Sequence, residues 1–134
     1  RDRINEVYQE LGIRDVENYD TYVIDVHTYA AFFRVLYNAE YLGEKGSGEL
    51  LEMLTRSAMT RGIAAGVLSD AKIAHKFGER SLAQGVEQFH DCGIVYATMN
   101  PYLLCIMSQG DDYEEMANFV AEVSRMVYES AGRL

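Results

Sequence analysis

The chain has 134 residues, nearly half of them apolar and only one of them proline. That suits one domain, or part of one, with material for a sizeable core. Twenty-one acidic against twelve basic side chains give a net charge of −9. This argues against nucleic-acid binding, which needs a basic footprint to displace counterions, and against docking on anionic lipid.

In chain order, Ile4, Val7, Tyr8 and Leu11 recur at helical spacing, and Gly12 follows as a stop. Residues 13–25 are irregular and rich in Asp, Asn and Tyr. Asp25 can cap a second helix whose Val26, Tyr29, Phe33 and Leu36 form one apolar stripe. Gly43 and Gly46 bracket a turn, after which Ser47 can cap a third helix carrying Leu50, Leu51 and Leu54. A short apolar piece, Ile63 to Leu68, comes next.

The period then changes. From Lys72 to Glu79, Ile73, His75 and Phe77 alternate with Ala74, Lys76 and Gly78, which is a strand pattern. Phe89 to Ala97 reads as a second strand, with Gly93 as a bulge or a point of close approach. Thr98, Met99, Asn100 and Pro101 signal a turn. Tyr102 to Ser108 is almost continuously apolar, a strand buried on both faces. Asp111 or Asp112 starts a last helix, with Tyr113, Met116, Val120, Val123 and Val127 along the face that packs on the sheet. Three strands in succession with short connections predict an antiparallel meander in an α+β fold: N-terminal helices, the sheet, then a C-terminal helix packed on it.

The two cysteines, Cys92 and Cys105, cannot make a disulfide framework. Both sit in apolar runs, where a free Cys behaves as a small hydrophobe, and two separate thiols are favoured over a bridge between them. The three histidines, His27, His75 and His90, show no metal-ligand spacing, so no metal is expected. His90 with Asp91 is a candidate for orienting the neighbouring strand or the Lys76 side chain, but a satisfied structural histidine is the favoured reading of His90. The tyrosines at helical apolar positions read as packing residues.

The stretch His75-Lys76-Phe77-Gly78-Glu79 resembles the Lys-Thr/Ser-Gly strand motif of serine β-lactamases and penicillin-binding proteins. The segments Leu50 to Leu54 and Arg61 to Val67 resemble the helix and the returning segment that precede that strand in the class A-like group. Phe89 to Tyr96 and Pro101 to Met107 resemble its next two strands, and Phe33 to Asn38 a helix upstream. A three-residue Lys-x-Gly says little by itself; the five segments that flank it, in order, are what make the resemblance specific.

The resemblance implies that residues 1–134 are the C-terminal portion of one β-lactamase-like domain, without an internal boundary. In this family, catalysis uses a Ser-x-x-Lys helix, a Ser-x-Asn loop and the Lys-Thr-Gly strand. The first two lie upstream of the region represented here, so the nucleophile is expected outside this chain. Lys76, Phe77 and Gly78 would bind substrate, and the backbone N–H of Glu79 would be one oxyanion donor. The implied parent is a serine hydrolase forming an acyl-enzyme on β-lactam or peptidoglycan-type substrates. It needs no cofactor and works outside the cytoplasm. The alternative is a non-catalytic module of the same fold that binds cell-wall peptide or a protein partner. Phe77 stands where the family carries Thr or Ser and cannot donate a hydrogen bond, so β-lactam turnover does not follow from the motif. Strict alternation also points Phe77 away from Lys76.

Three look-alikes are set aside. Ser69-Asp70-Ala71-Lys72 matches Ser-x-x-Lys but leads into a strand, where side chains three apart face opposite ways. Ser69-Asp70 is a partial echo of Ser-Asp-Asn, and a polar turn before a strand is favoured. Glu17 lacks the surrounding Glu-x-x-Leu-Asn pattern of a deacylating base, so a solvated loop carboxylate is favoured. The chain opens on Arg1 and carries no signal sequence, which predicts a processed or truncated product. Apolar surface facing the missing half predicts association with that half or with a second copy.

Overall fold

A computed structural model describes residues 2–11, 24–67, 71–97 and 100–131. Gly12, Glu17, Ser69 and Asp70 lie outside the described residues, so neither the first helix stop nor the three look-alikes can be placed. Three helices come first: α1 (Asp2–Glu10), α2 (Val26–Tyr37) and α3 (Gly43–Leu54). A 3-10 turn, Gly62–Gly66, leads to the strands β1 (Lys72–Ser81), β2 (Glu87–Tyr96) and β3 (Tyr102–Gly110). Helix α4 (Tyr113–Ala131) completes the fold. The strands form one antiparallel sheet in the order β1-β2-β3, the meander expected of an α+β chain.

Side-chain alternation divides the core in two. Phe89 and Val95 of β2 point to one face, where they meet Ile63 of the 3-10 turn and Met116, Ala117 and Val120 of α4. Cys92 and Ile94 point to the other, against Phe33 of α2 with Tyr29, Leu51 and Leu54 around it. Strand β3 contributes Tyr102, Leu104 and Ile106 to the first face and Leu103 and Cys105 to the second. Its apolar run does serve both faces, yet its residues are only half-buried, because β3 has a paired neighbour on one side only.

Capping fixes two helix starts. The Asp25 carboxylate accepts the Thr28 N–H at 2.7 Å, as the sequence predicts. Asp112 Oδ1 accepts the N–H groups of Glu114 (2.7 Å) and Glu115 (3.0 Å) at the head of α4. Helix α3 departs from expectation. It begins at Gly43, so no turn separates Gly43 from Gly46, and Ser47 is a buried interior residue rather than a cap. Gly43 has φ +68°, a conformation that a residue with a Cβ rarely adopts; it lets the chain swing into helix one turn early.

The cysteines also differ from expectation. The register sets Cys92 of β2 opposite Cys105 of β3, with Cα atoms 4.0 Å apart and the sulfurs bonded. Alternation that sends both side chains to the α2 face brings the thiols together. Gly93 makes no bulge, since pairing continues unbroken through it. It is a point of close approach: a Cβ there would stand 2.4 Å from the His75 Cβ.

Candidate functional site

The outer edge of β1 borders a cleft of about 980 Å³ lined by Tyr8 of α1, Tyr29 of α2, Lys76 to Arg80 of β1, and His90 with Met107 from the sheet. All four residues singled out on β1, Lys76, Phe77, Gly78 and Glu79, line this cleft.

The hairpin decides which main-chain groups face the cleft. Leu82 N–H donates to the Val86 carbonyl at 2.7 Å across the tip, and the pairing runs back from there without interruption to Lys72 and Tyr96. In an antiparallel ladder, successive residues direct their N–H and C=O groups alternately toward and away from the partner. Counting back by twos from Leu82, Arg80, Gly78 and Lys76 direct theirs into the ladder. Phe77 and Glu79 direct theirs to the open side. The narrow Cys92–Cys105 spacing gives the same assignment. A 4.0 Å Cα separation marks a non-hydrogen-bonded pair with β3, so Cys92 turns its main chain toward its other partner, Lys76.

The side chains complete the edge. A Cβ on Gly78 would meet nothing within 4 Å, so the cleft comes up to the backbone at this point. The Lys76 ammonium curls back to the Phe77 carbonyl and lies 4.9 Å from the centre of the Phe77 ring. Phe77 itself packs against the α4-side core. The expected divergence of the two side chains thus holds for their Cβ directions, while the flexible lysine stem returns over the ring. The Lys76 carbonyl has a second lone pair, which accepts the Tyr29 hydroxyl at 2.7 Å. Burial pushes the Tyr29 hydroxyl up to about 12, and the nearby negative charge of Asp91 acts in the same direction. Arg61 meets the Glu79 carboxylate at 3.3 Å, tying the residue before the 3-10 turn to the far half of the edge.

Beneath the edge, His75 Nδ1 lies 2.9 Å from Asp91 Oδ1, and Ile63 N–H donates to Asp91 Oδ2 at 2.9 Å. The satisfied histidine is therefore His75. His90 lines the cleft, and its Nδ1 is buried with no partner among the described residues. Burial lowers the His90 pKa, partly offset by the Phe89 carbonyl. The sequence reading missed Tyr29, Arg61 and the His75–Asp91 pair. Only Asp91 carried a signal, as a carboxylate inside an apolar strand that must find a partner.

A family described as the beta-lactamase enzyme family matches residues 1–131. No curated protein matches the chain. Among solved structures, PBP-A is similar at 23% identity, over 98% of this chain and 51% of its own, with a TM-score of 0.79. A beta-lactamase from Sphaerobacter thermophilus is similar at 18% identity, over 99% and 54%, with a TM-score of 0.76. The class A beta-lactamase from Mycobacterium abscessus follows at 18%, over 96% and 54%, with a TM-score of 0.73. At these identities the likeness is one of fold, and the chain spans about half the length of each of these structures.

Proposed function

We propose that this chain, which belongs to the beta-lactamase enzyme family, is the C-terminal, substrate-binding portion of a serine hydrolase that forms an acyl-enzyme on β-lactam or peptidoglycan-type substrates. The nucleophilic serine lies in the remainder of the protein. A mutant of PBP-A, a protein of the same fold, has been solved as an acyl-enzyme complex with penicillin-G, which supports this substrate class. The parent works outside the cytoplasm, on the cell wall or in resistance to β-lactams. The apolar surface of this portion is covered by the other half or by a second copy.

One observation carries the reading: the open edge of β1, where a bare Gly78 sits between an ammonium and an outward-directed amide. An extended acyl compound can lie along such an edge as an added strand. Lys76 supplies an ammonium for its carboxylate. The Glu79 N–H is aimed where the carbonyl oxygen gathers charge when the serine attacks. The new C–O bond forms as the carbonyl opens to a tetrahedral oxyanion; the C–N bond then breaks and its nitrogen takes a proton. Water later cleaves the ester and releases the acid. Removing one oxyanion donor costs about 2.7–4 kcal/mol of transition-state stabilisation, so the Glu79 amide bears a large share of the proposed rate. No cofactor enters this scheme.

The test is covalent labelling of the full-length protein with a fluorescent penicillin. A band that survives denaturation and is lost on replacing the serine of Ser-x-x-Lys supports the proposal. No band from a protein with an intact Ser-x-x-Lys overturns it. A second reading is favoured by Phe77, which packs into the core where a hydroxyl would hold a substrate carboxylate. On that reading the fold persists as a module that binds cell-wall peptide or a protein without chemistry. Absence of Ser-x-x-Lys and Ser-x-Asn from the rest of the protein would decide in its favour.

A further inference from the structure

Asp91 is fully buried and His75 is 3% exposed, and neither lines the cleft. Both carboxylate oxygens of Asp91 are committed, one to His75 of β1 and one to the Ile63 N–H of the 3-10 turn. Space is left for the pair by two glycines. A Cβ on Gly93 would stand 2.4 Å from the His75 Cβ, and one on Gly62 would stand 2.6 Å from Asp91 Oδ2. The surroundings are apolar: Ile63, Phe89, Ile73 and Phe77 share this face. Replacing a buried polar pair by packed hydrophobes is often neutral or stabilising. Stability is therefore a poor reason for its presence, and fixed geometry is a better one. What it fixes is the residue before Lys76, relative to the turn whose neighbour Arg61 holds Glu79.

We infer that the His75–Asp91 pair is a positioning device for the β1 edge, holding Lys76 and the Glu79 amide in place for an acyl substrate; this rests on the function proposed above. Without the imidazole, the carboxylate keeps one partner and the strand is free to drift against the 3-10 turn. A displacement of about 1 Å at a reacting centre can cost about a hundredfold in rate.

The experiment measures acylation of the full-length protein by a fluorescent penicillin, separating the maximal rate from the half-saturating concentration. His75→Leu is expected to lower the maximal rate at least about tenfold while half-saturation stays within about threefold, since the Lys76 ammonium on its flexible stem can follow a small shift of the strand and the backbone amide of Glu79 cannot. His75→Asn, whose amide N–H can donate to Asp91 Oδ1, is expected to recover the rate to within about threefold. Val95→Ala deletes core volume from the same strand without touching the pair, and is expected to lower the melting temperature but not the rate. Should His75→Leu not fold, His75→Ser replaces it: its hydroxyl is too short to reach Asp91, and the same loss is expected. Wild-type rate in the Leu or Ser variant, equal impairment of the Asn variant, or equal slowing by Val95→Ala overturns the inference. An unlabelled wild type overturns the proposed function instead, and the inference falls with it.

Discussion

Gly66 of the 3-10 turn packs directly against α4, and Gly66→Ala tests how the α4 face is assembled. A Cβ there would stand 2.4 Å from the Ala121 carbonyl oxygen, 2.5 Å from the Ser124 Cβ and 2.7 Å from the Arg125 nitrogen. Two of these atoms are backbone, so no rotamer change relieves the clash. Turn and helix must separate by about 1 Å to restore ordinary contact. Overpacking of this kind costs about 1–3 kcal/mol. The same separation breaks the buried hydrogen bond from the Ser124 hydroxyl to the Ile63 carbonyl, now 2.9 Å, at a cost of about 0.5–1.5 kcal/mol. Stiffening the unfolded chain by Gly→Ala returns about 0.4–1 kcal/mol. The net expectation is a loss of about 2–3 kcal/mol. With an unfolding entropy of about 2.1 cal/mol/K per residue over 134 residues, that lowers Tm by about 7–11 °C, and by less in a longer polypeptide. Urea unfolding followed by circular dichroism measures it, with Gly78→Ala as the companion variant. Nothing lies within 4 Å of a Cβ at Gly78, so that variant is expected within about 0.5 kcal/mol of wild type. Equal stabilities for the two variants would refute the reasoning.

Further expectations concern the cleft and the sheet. Gly78→Val, which places a branched side chain in the cleft at no cost to folding, is expected to slow penicillin labelling at least about tenfold at unchanged melting temperature. Lys76→Met is expected to raise the half-saturating penicillin concentration and to flatten its dependence on salt, as removal of a cation facing a carboxylate does. Reduction of the Cys92–Cys105 bridge, which closes a 13-residue separation, is expected to cost about 3 kcal/mol by the chain-entropy argument, read as a shift of the urea midpoint with and without reductant. The raised Tyr29 hydroxyl gives a pH signature. Its folded value of about 12 exceeds the ordinary tyrosine value of 10.0, so its contribution to stability is complete below pH 10 and is lost as pH rises toward 12. Tyr29→Phe should lack that part of the alkaline decline, measured by denaturant midpoints from pH 9 to 12.

Local periodicity made the sheet legible. The alternation of Ile73, His75 and Phe77 with Ala74, Lys76 and Gly78 marks β1, and its match in β2 makes the meander. The start of α3 was not legible, because glycines at 43 and 46 carry a turn signal that the surrounding packing overrides. The cysteine pairing was not legible either, since it depends on register, which no short window contains. The same holds for the site. Lys76 and Gly78 stand out as a motif, but Tyr29 reaches the Lys76 carbonyl across 47 positions and Ile63 reaches Asp91 across 28. Contacts at that range are products of the tertiary fold. A histidine and an aspartate sixteen positions apart announce nothing until two strands are laid side by side.

The unbroken ladder between Lys72 and the hairpin tip restricts where this protein can change length. The tip, residues Ala83–Gly85, already carries left-handed torsions at Gln84 and Gly85 and projects into solvent. Insertions there leave the parity of the preceding strand untouched. One residue added or deleted between Gly78 and Leu82 would exchange the roles of odd and even positions. The amide of Glu79 would turn inward and that of its neighbour outward. Length polymorphism in this hairpin should therefore be confined to its tip, and an engineered loop graft belongs at Gln84, not within the strand.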